Sequence, residues 1–161
     1  MIDVYVAAGS NVEPQRHLRT ALAALRERFG TLRCSPAYRN QAVGFQGDDF
    51  INLVVGFATD QPVEDVRAAL QQIESWCGRP PQSPRWAPRT MDLDVLLYGD
   101  LMGEHAGMTL PRPDLVRRAY MLKPLADIAP QLLHPTLGQS IAVLWQAFAE
   151  QHHPLVVVPL E

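Results

Sequence analysis

At 161 residues the chain is sized for a single domain spanning 1–161, long enough to bury a core of its own. A net charge of −3 argues against general affinity for nucleic acid. No apolar run reaches the ~20 residues of a membrane span, and the start of the chain lacks the basic, cleavable pattern of a signal peptide, so a cytoplasmic protein is expected. Its two cysteines, Cys34 and Cys77, have no Cys-x-x-Cys spacing, which excludes a disulfide scaffold and points to two small core residues in a reduced compartment.

Residues 2–8 form a short apolar run rich in β-branched and aromatic side chains, read as a buried first strand ending at Gly9-Ser10-Asn11. That tripeptide serves either as a strand-to-helix turn or as a backbone cradle for an anion, the turn being favoured. In the helix that follows, Leu18, Ala21, Leu22, Leu25 and Phe29 step by three and four, and Gly30 stands at the C-terminal cap. Residues 31–39 are expected as one second strand and 50–58 as a third, and the ten-residue connection 40–49 is longer than a tight hairpin needs. Pro62 opens a second helix whose apolar face is Val63, Val66, Leu70, Ile73 and Cys77, with Gly78 ending it. The proline-rich stretch 79–88 cannot be helical.

Residues 85–94 read Arg-Trp-Ala-Pro-Arg-Thr-Met-Asp-Leu-Asp and run into an apolar strand. Strand side chains alternate, so Asp92, Asp94 and Leu96 share one face while Met91, Leu93 and Val95 share the other. Aspartate is depleted from strands, and two adjacent carboxylates repel, so the pair calls for cations. Magnesium fits, because it takes one or two carboxylates and leaves its other positions to phosphate and water. A solvated face, or salt bridges to Arg85 and Arg89, would also satisfy the pair. The flanking arginines suit phosphate oxygens, and Trp86 offers a flat surface to a ring.

After the acidic strand, 100–107 reads as a polar, glycine-rich connection, followed by short helical pieces punctuated by Pro111, Pro113, Pro124 and Pro130. Residues 139–150 are expected as a last helix with Ile141, Leu144, Trp145 and Phe148 on one side, and 155–158 as a closing strand. The order strand, helix, strand, strand, helix, strand implies an α+β, ferredoxin-like sandwich with an antiparallel sheet and appended C-terminal helices. The five histidines show no metal-ligating spacing, and no P-loop sequence is present.

From Gly78-Arg79 through 85–94 to Tyr98-Gly99, the chain closely resembles the signature of the 6-hydroxymethyl-7,8-dihydropterin pyrophosphokinase family, and further matches run from Gly9-Ser10-Asn11 to 124–130. The resemblance implies transfer of pyrophosphate from ATP to a hydroxymethyl pterin in folate biosynthesis, with release of AMP. It implies Asp92 and Asp94 as ligands of two Mg2+ ions, and Gln71, Glu74, Arg79, Arg89, Thr109, Arg112 and Arg118 as residues for ATP. Val43, Phe50, Asn52, Trp86 and Tyr120 would hold the pterin, with Tyr120 opposite Trp86 across the ring, and Arg79, Trp86 and Arg89 would join the aspartates in catalysis. Residues 79–88 would be a loop that closes over ATP. The partners implied are these two small molecules, without nucleic acid or membrane, on a monomer.

The chain departs from the family pattern at Ala87, where glycine is usual, at Pro81, where many members carry arginine, and at Arg112-Pro113, where the family has histidine after the proline. Gly107 is a further position whose effect on activity the sequence leaves open. A catalytically weak or inactive paralogue that binds pterin or nucleotide is therefore the second reading, and a nucleic-acid-binding module a distant third, since basic surface and paired exposed aromatics are lacking.

Overall fold

The computed structural model describes residues 1–40, 49–78, 91–148 and 155–160. The first strand, β1 (Ile2–Ser10), leads through Pro14 at the first helical position into α1 (Pro14–Phe29), which stops at Gly30 with φ 84°, a conformation that suits glycine. β2 (Arg33–Cys34), β3 (Ala37–Asn40) and the long β4 (Phe50–Thr59) follow, then α2 (Val63–Trp76) and β5 (Asp92–Tyr98). The sheet order β5-β1-β4-β3, with every pairing antiparallel, is the ferredoxin-like arrangement expected from the element order. β8 (Val156–Val158) extends the sheet on the outer side of β3.

One helical layer, α1 and α2, covers one face. Leu18, Ala21, Leu22 and Leu25 of α1 and Val63, Val66, Leu70 and Ile73 of α2 pack on Val4, Val6, Ala8, Leu53, Val55, Leu93 and Val95. The ring of Phe29 stacks on Phe57 with centroids 4.2 Å apart. Each valine, leucine, isoleucine or phenylalanine side chain buried in full contributes about 1.5–3 kcal/mol. The opposite face is covered by the 3₁₀ turn Pro113–Val116, α3 (Ala119–Ile128) and α4 (Ile141–Gln146), whose Leu115, Met121, Leu122, Leu125 and Ile141 meet Tyr5, Ala7, Val54, Leu96 and Leu97.

The second strand is not continuous. Cys34 pairs with Val55 but Tyr38 with Asn52, so four residues on one strand advance against three on the other. Pro36 cannot donate to the ladder, and Ser35 repairs the gap: its N–H donates to Val54 O and its Oγ accepts from Val54 N, both at 2.9 Å. On the short β2 both residues are exposed, so Cys34 is a surface residue, contrary to expectation, while Cys77 is buried as foreseen.

Residues 100–107 also differ from the expected plain connection. β6 (Gly103–His105) and β7 (Met108–Leu110) form a hairpin across Ala106 and Gly107, whose φ values of 52° and 75° are those of a two-residue primed turn. The last helix is shorter than the expected 139–150. Gln139 O accepts from His134 N in the preceding turn, and Ser140 caps the helix by accepting from Val143 N, so it cannot start earlier. It gives way at Ala147, and 149–150 lie outside the described residues.

Candidate active site

β5 is an edge strand with two characters. Asp92 and Asp94 fall on the face opposite α1 and α2, while Met91, Leu93 and Val95 are buried on the helical side, the alternation read from the sequence. Near its end the register slips: Val6 pairs with Val95 but Tyr5 with Leu97, leaving Leu96 as a bulge. The bulge turns both Leu96 and Leu97 toward the α3 layer and leaves Leu96 O free to accept from Arg112 N at 2.9 Å. Arg112 is thereby anchored beside the acids.

The rungs of the sheet assemble the rest of this face. Gly9 pairs with both Asp92 and Asn52, and Asn52 pairs with Tyr38, so Asp92, Gly9, Asn52 and Tyr38 form one row across four strands. Gly9 has no side chain because Asn52 needs the space: a Cβ there would lie 2.3 Å from Asn52 Oδ1. The amide of Asn52 donates to Asn40 Oδ1, and Tyr38 OH donates to Asp127 of α3. Burial, reinforced by that bond to Asp127, pushes the Tyr38 phenol well above its ordinary range and keeps it a donor. Phe50, half-buried, is two residues before Asn52 and on the same face.

Beyond the edge of β5 lies a cleft of about 740 Å3 between α2, β5 and the segment from β7 to the 3₁₀ turn. Gln71, Glu74, Asp92, Asp94, Thr109 and Arg112, all singled out from the sequence, line it together. Glu74 accepts from Leu93 N at 2.8 Å, which satisfies an outward amide of the edge strand, and the Thr109 hydroxyl donates to Glu104. Arg112 Nη1 stands 3.5 Å from Asp94 Oδ1 and Nη2 3.7 Å from Asp114 Oδ2. Arg118 is not among the lining residues; its neighbour Arg117 is. Arg118 caps α3 two residues before Tyr120. Burial pushes the Tyr120 phenol up, Arg118 partly offsets this, and the charges of Asp114, Asp94 and Arg112 act on the same ring. Tyr120 therefore lies between the acidic strand and the apolar layer.

Sequence reading missed Arg67 and Asp114, and of the basic pair Arg117-Arg118 it favoured Arg118, whereas Arg117 is the one that lines the cleft. Arg67 was legible, since it precedes Gln71 by four on the same helical stripe; its guanidinium donates to Ala106 O at 2.7 Å and braces the hairpin. Asp114 follows a proline-rich segment without periodicity, which gives no such signal. Of the expected site residues, Val43, Arg79, Trp86 and Arg89 lie outside the described residues, as does the 79–88 loop. The anion-cradle alternative for Gly9-Ser10-Asn11 gains nothing: Ser10 and Asn11 are buried, and Ser10 Oγ donates to Val12 O at 3.1 Å in a local turn.

Among the described residues no group of three or more acids, histidines or cysteines forms a complete metal site. Two half-exposed carboxylates on adjacent same-face positions of one strand, one of them already drawn to a cation, nevertheless suit magnesium, which completes its shell with substrate oxygens.

The model of the 7,8-dihydro-6-hydroxymethylpterin-pyrophosphokinase family matches residues 5–130. This chain belongs to that family. It is 39% identical over 137 residues to a 2-amino-4-hydroxy-6-hydroxymethyldihydropteridine pyrophosphokinase of Pseudomonas aeruginosa, covering 82% of this chain and 83% of that one. A protein of the same name from Haemophilus influenzae is 34% identical over 154 residues, 93% of this chain and 95% of its own length. Among solved structures, a Plasmodium falciparum HPPK-DHPS with STZ-DHP superposes with a TM-score of 0.69 at 14% identity, over 93% of this chain and 42% of that one. An HPPK-DHPS crystallised with substrates gives 0.72 over 94% and 44%. The chain spans less than half of those HPPK-DHPS chains, and at such identity the likeness speaks to the fold alone. No helix among the described residues is long and apolar enough to cross a membrane.

Proposed function

We propose that the chain is an ATP-dependent pyrophosphokinase that transfers pyrophosphate from ATP to the hydroxymethyl group of 6-hydroxymethyl-7,8-dihydropterin, releasing AMP, in folate biosynthesis. Family membership supports the reaction. The observation that carries it to this site is the pair Asp92 and Asp94 on one face of β5, opening into a cleft that also holds Gln71, Glu74, Thr109 and Arg112.

The pterin hydroxyl oxygen bonds to the β-phosphorus and gives up its proton to solvent, the bond from that phosphorus to the oxygen it shares with the α-phosphorus breaks, and AMP departs with that oxygen. Catalysis of this kind is mainly positioning and charge stabilisation. Asp92 and Asp94 would hold two Mg2+ ions, which when bound supply positive charge to the phosphate oxygens and acidify the attacking hydroxyl. Arg112, with Arg79, Arg89 and Arg118 carried over from the resemblance, neutralises charge on the transferred group. Asn52, held by Asn40 over Gly9, offers its amide to the edge of the bicyclic ring, and Phe50 and Tyr120, with Trp86 and Val43 from the resemblance, enclose it. The resting enzyme is taken as one cytoplasmic, monomeric domain over 1–161.

AMP formation from ATP, followed with and without the hydroxymethyl pterin, tests the proposal. Pterin-dependent AMP is expected; tight pterin or nucleotide binding with no AMP would turn the reading toward the inactive paralogue.

A further inference from the structure

We infer that Arg67 is a nucleotide-binding residue: its guanidinium holds the sugar–base end of ATP, the half that departs as AMP. The inference rests on the function proposed above and names a contact on α2 that fixes the leaving group.

Three observations carry it. The first is where the leaving group must lie. The row Asp92, Gly9, Asn52 and Tyr38 runs from the acid pair across the sheet, and the cleft opens the other way, beyond the edge of β5. Attacking and leaving oxygens stand roughly in line on the phosphorus, so a pterin over that row sends AMP into the cleft, between α2 and the β6–β7 hairpin. Arg67 lines this part of it. On α2 it precedes Glu74, which bonds Leu93 N beside the acids, by seven residues. At 1.5 Å of rise per residue that is about 10 Å from the acid pair, a distance that suits a nucleoside better than the transferred phosphates.

The second is that the guanidinium is held in place. Nη1 donates to Ala106 O at 2.7 Å, and Gly107 makes the room: a Cβ there would stand 3.3 Å from Nη1 and 3.8 Å from Cζ. A side chain at 107 would crowd the group that the hairpin now presents.

The third is that Arg67 has donors left to offer. A guanidinium carries five N–H groups, and the bond to Ala106 uses one. Among the described residues no acid pairs with Arg67, whereas Arg112 in the same cleft is already drawn to Asp94 and Asp114. One edge of the fork is tied to the backbone, and the rest meets the oxygens and ring nitrogens of a nucleoside. An arginine so placed grips AMP alike as part of ATP and as product.

Calorimetric titration of ATP, AMP and inorganic tripolyphosphate, each with magnesium and without pterin, is the test. Arg67→Met should weaken ATP and AMP by the same factor, on the order of tenfold, the scale of one charge-assisted hydrogen bond, and leave tripolyphosphate at the parental affinity. Arg67→Lys keeps the charge and a donor for Ala106 O, but lacks the fork that serves backbone and ligand together, so it should bind AMP as weakly as Arg67→Met. Melts are recorded for both, and Arg67→Gln serves if the methionine variant folds poorly. Unchanged AMP affinity in folded Arg67→Met or Arg67→Gln overturns the inference, as does an equal loss for tripolyphosphate. Parental AMP affinity in Arg67→Lys overturns it too, by reducing Arg67 to a brace for the hairpin. Failure of the function reading would look different: the parent itself would bind neither ATP nor tripolyphosphate, and both readings would fall together.

Discussion

On the face covered by α1 and α2, the sheet presents Val4, Val6, Ala8, Leu53, Val55, Leu93 and Val95 without a charge among them. On the other face the apolar rungs end at Ala7, Val54 and Leu96; beyond them the half-buried Asp94 and Asp92 stand at the open edge, and the row through Gly9 runs on to the buried Asn52 and Tyr38. The same strands build both, and what differs is the length of the covering layer. α1 and α2 cover their side, whereas among the described residues Leu115, Met121 and Ile141 cover only part of the other. Carboxylates on a strand are tolerable where that cover stops, because solvent or bound cations can still reach them.

The contrast predicts that substitutions on the two faces separate activity from stability. The largest effect belongs to the uncovered end. Asp92→Ala and Asp94→Ala should each cost on the order of 10³-fold or more in turnover, as for loss of a group that stabilises transition-state charge. Their melts should stay within about 1 kcal/mol of the parent, since a half-exposed ion pair contributes little. Near-parental turnover at saturating magnesium in either variant would break the comparison.

On the covered face the opposite is expected. Leu25 is fully buried, and Leu25→Ala should cost about 2–5 kcal/mol in a urea titration while the folded fraction keeps its pterin and nucleotide affinities. Gly9→Ala sharpens the boundary, because the added methyl would meet Asn52 Oδ1 at 2.3 Å on the site face. A loss of about 1–3 kcal/mol is expected from this overpacking, with pterin affinity falling and nucleotide affinity unchanged. Calorimetric titration of both ligands checks the split, and equal losses for the two would place the disturbance elsewhere.

The smallest effect is one of pH. Burial pushes His134 below its ordinary range, and its Nδ1 accepts from Thr136 N and Leu137 N at 3.2 Å, so it is held neutral. The unfolded chain therefore takes up the proton first as pH falls below about 6.5, and this contribution to stability, complete above that value, is lost on the acid side. Melting temperature should drop over that range in the parent and less steeply in His134→Asn; parallel curves would remove His134 as the cause.

Most of the covered face was legible, because three-and-four spacing in Leu18, Ala21, Leu22 and Leu25 and in Val63, Val66, Leu70 and Ile73 leaves one choice of inward side. The acid pair on β5 was legible for the same reason with a period of two. What escaped were departures from period: the bulge around Ser35-Pro36, which a strand reading smooths over, and the bulge at Leu96 that anchors Arg112. The β6–β7 hairpin hid behind Ala106, since only Gly107 of its turn carries a glycine signal. Asp114 as a partner of Arg112 depends on contacts between segments that no local pattern encodes.

The central claim, pyrophosphoryl transfer at the face bearing Asp92 and Asp94, is tested most directly by phosphorus NMR of a reaction containing ATP, magnesium and the hydroxymethyl pterin. One AMP for each pterin carrying two linked phosphates is the predicted outcome, absent in Asp94→Ala. Formation of ADP with a singly phosphorylated pterin, or of ADP and free phosphate without pterin product, would contradict it.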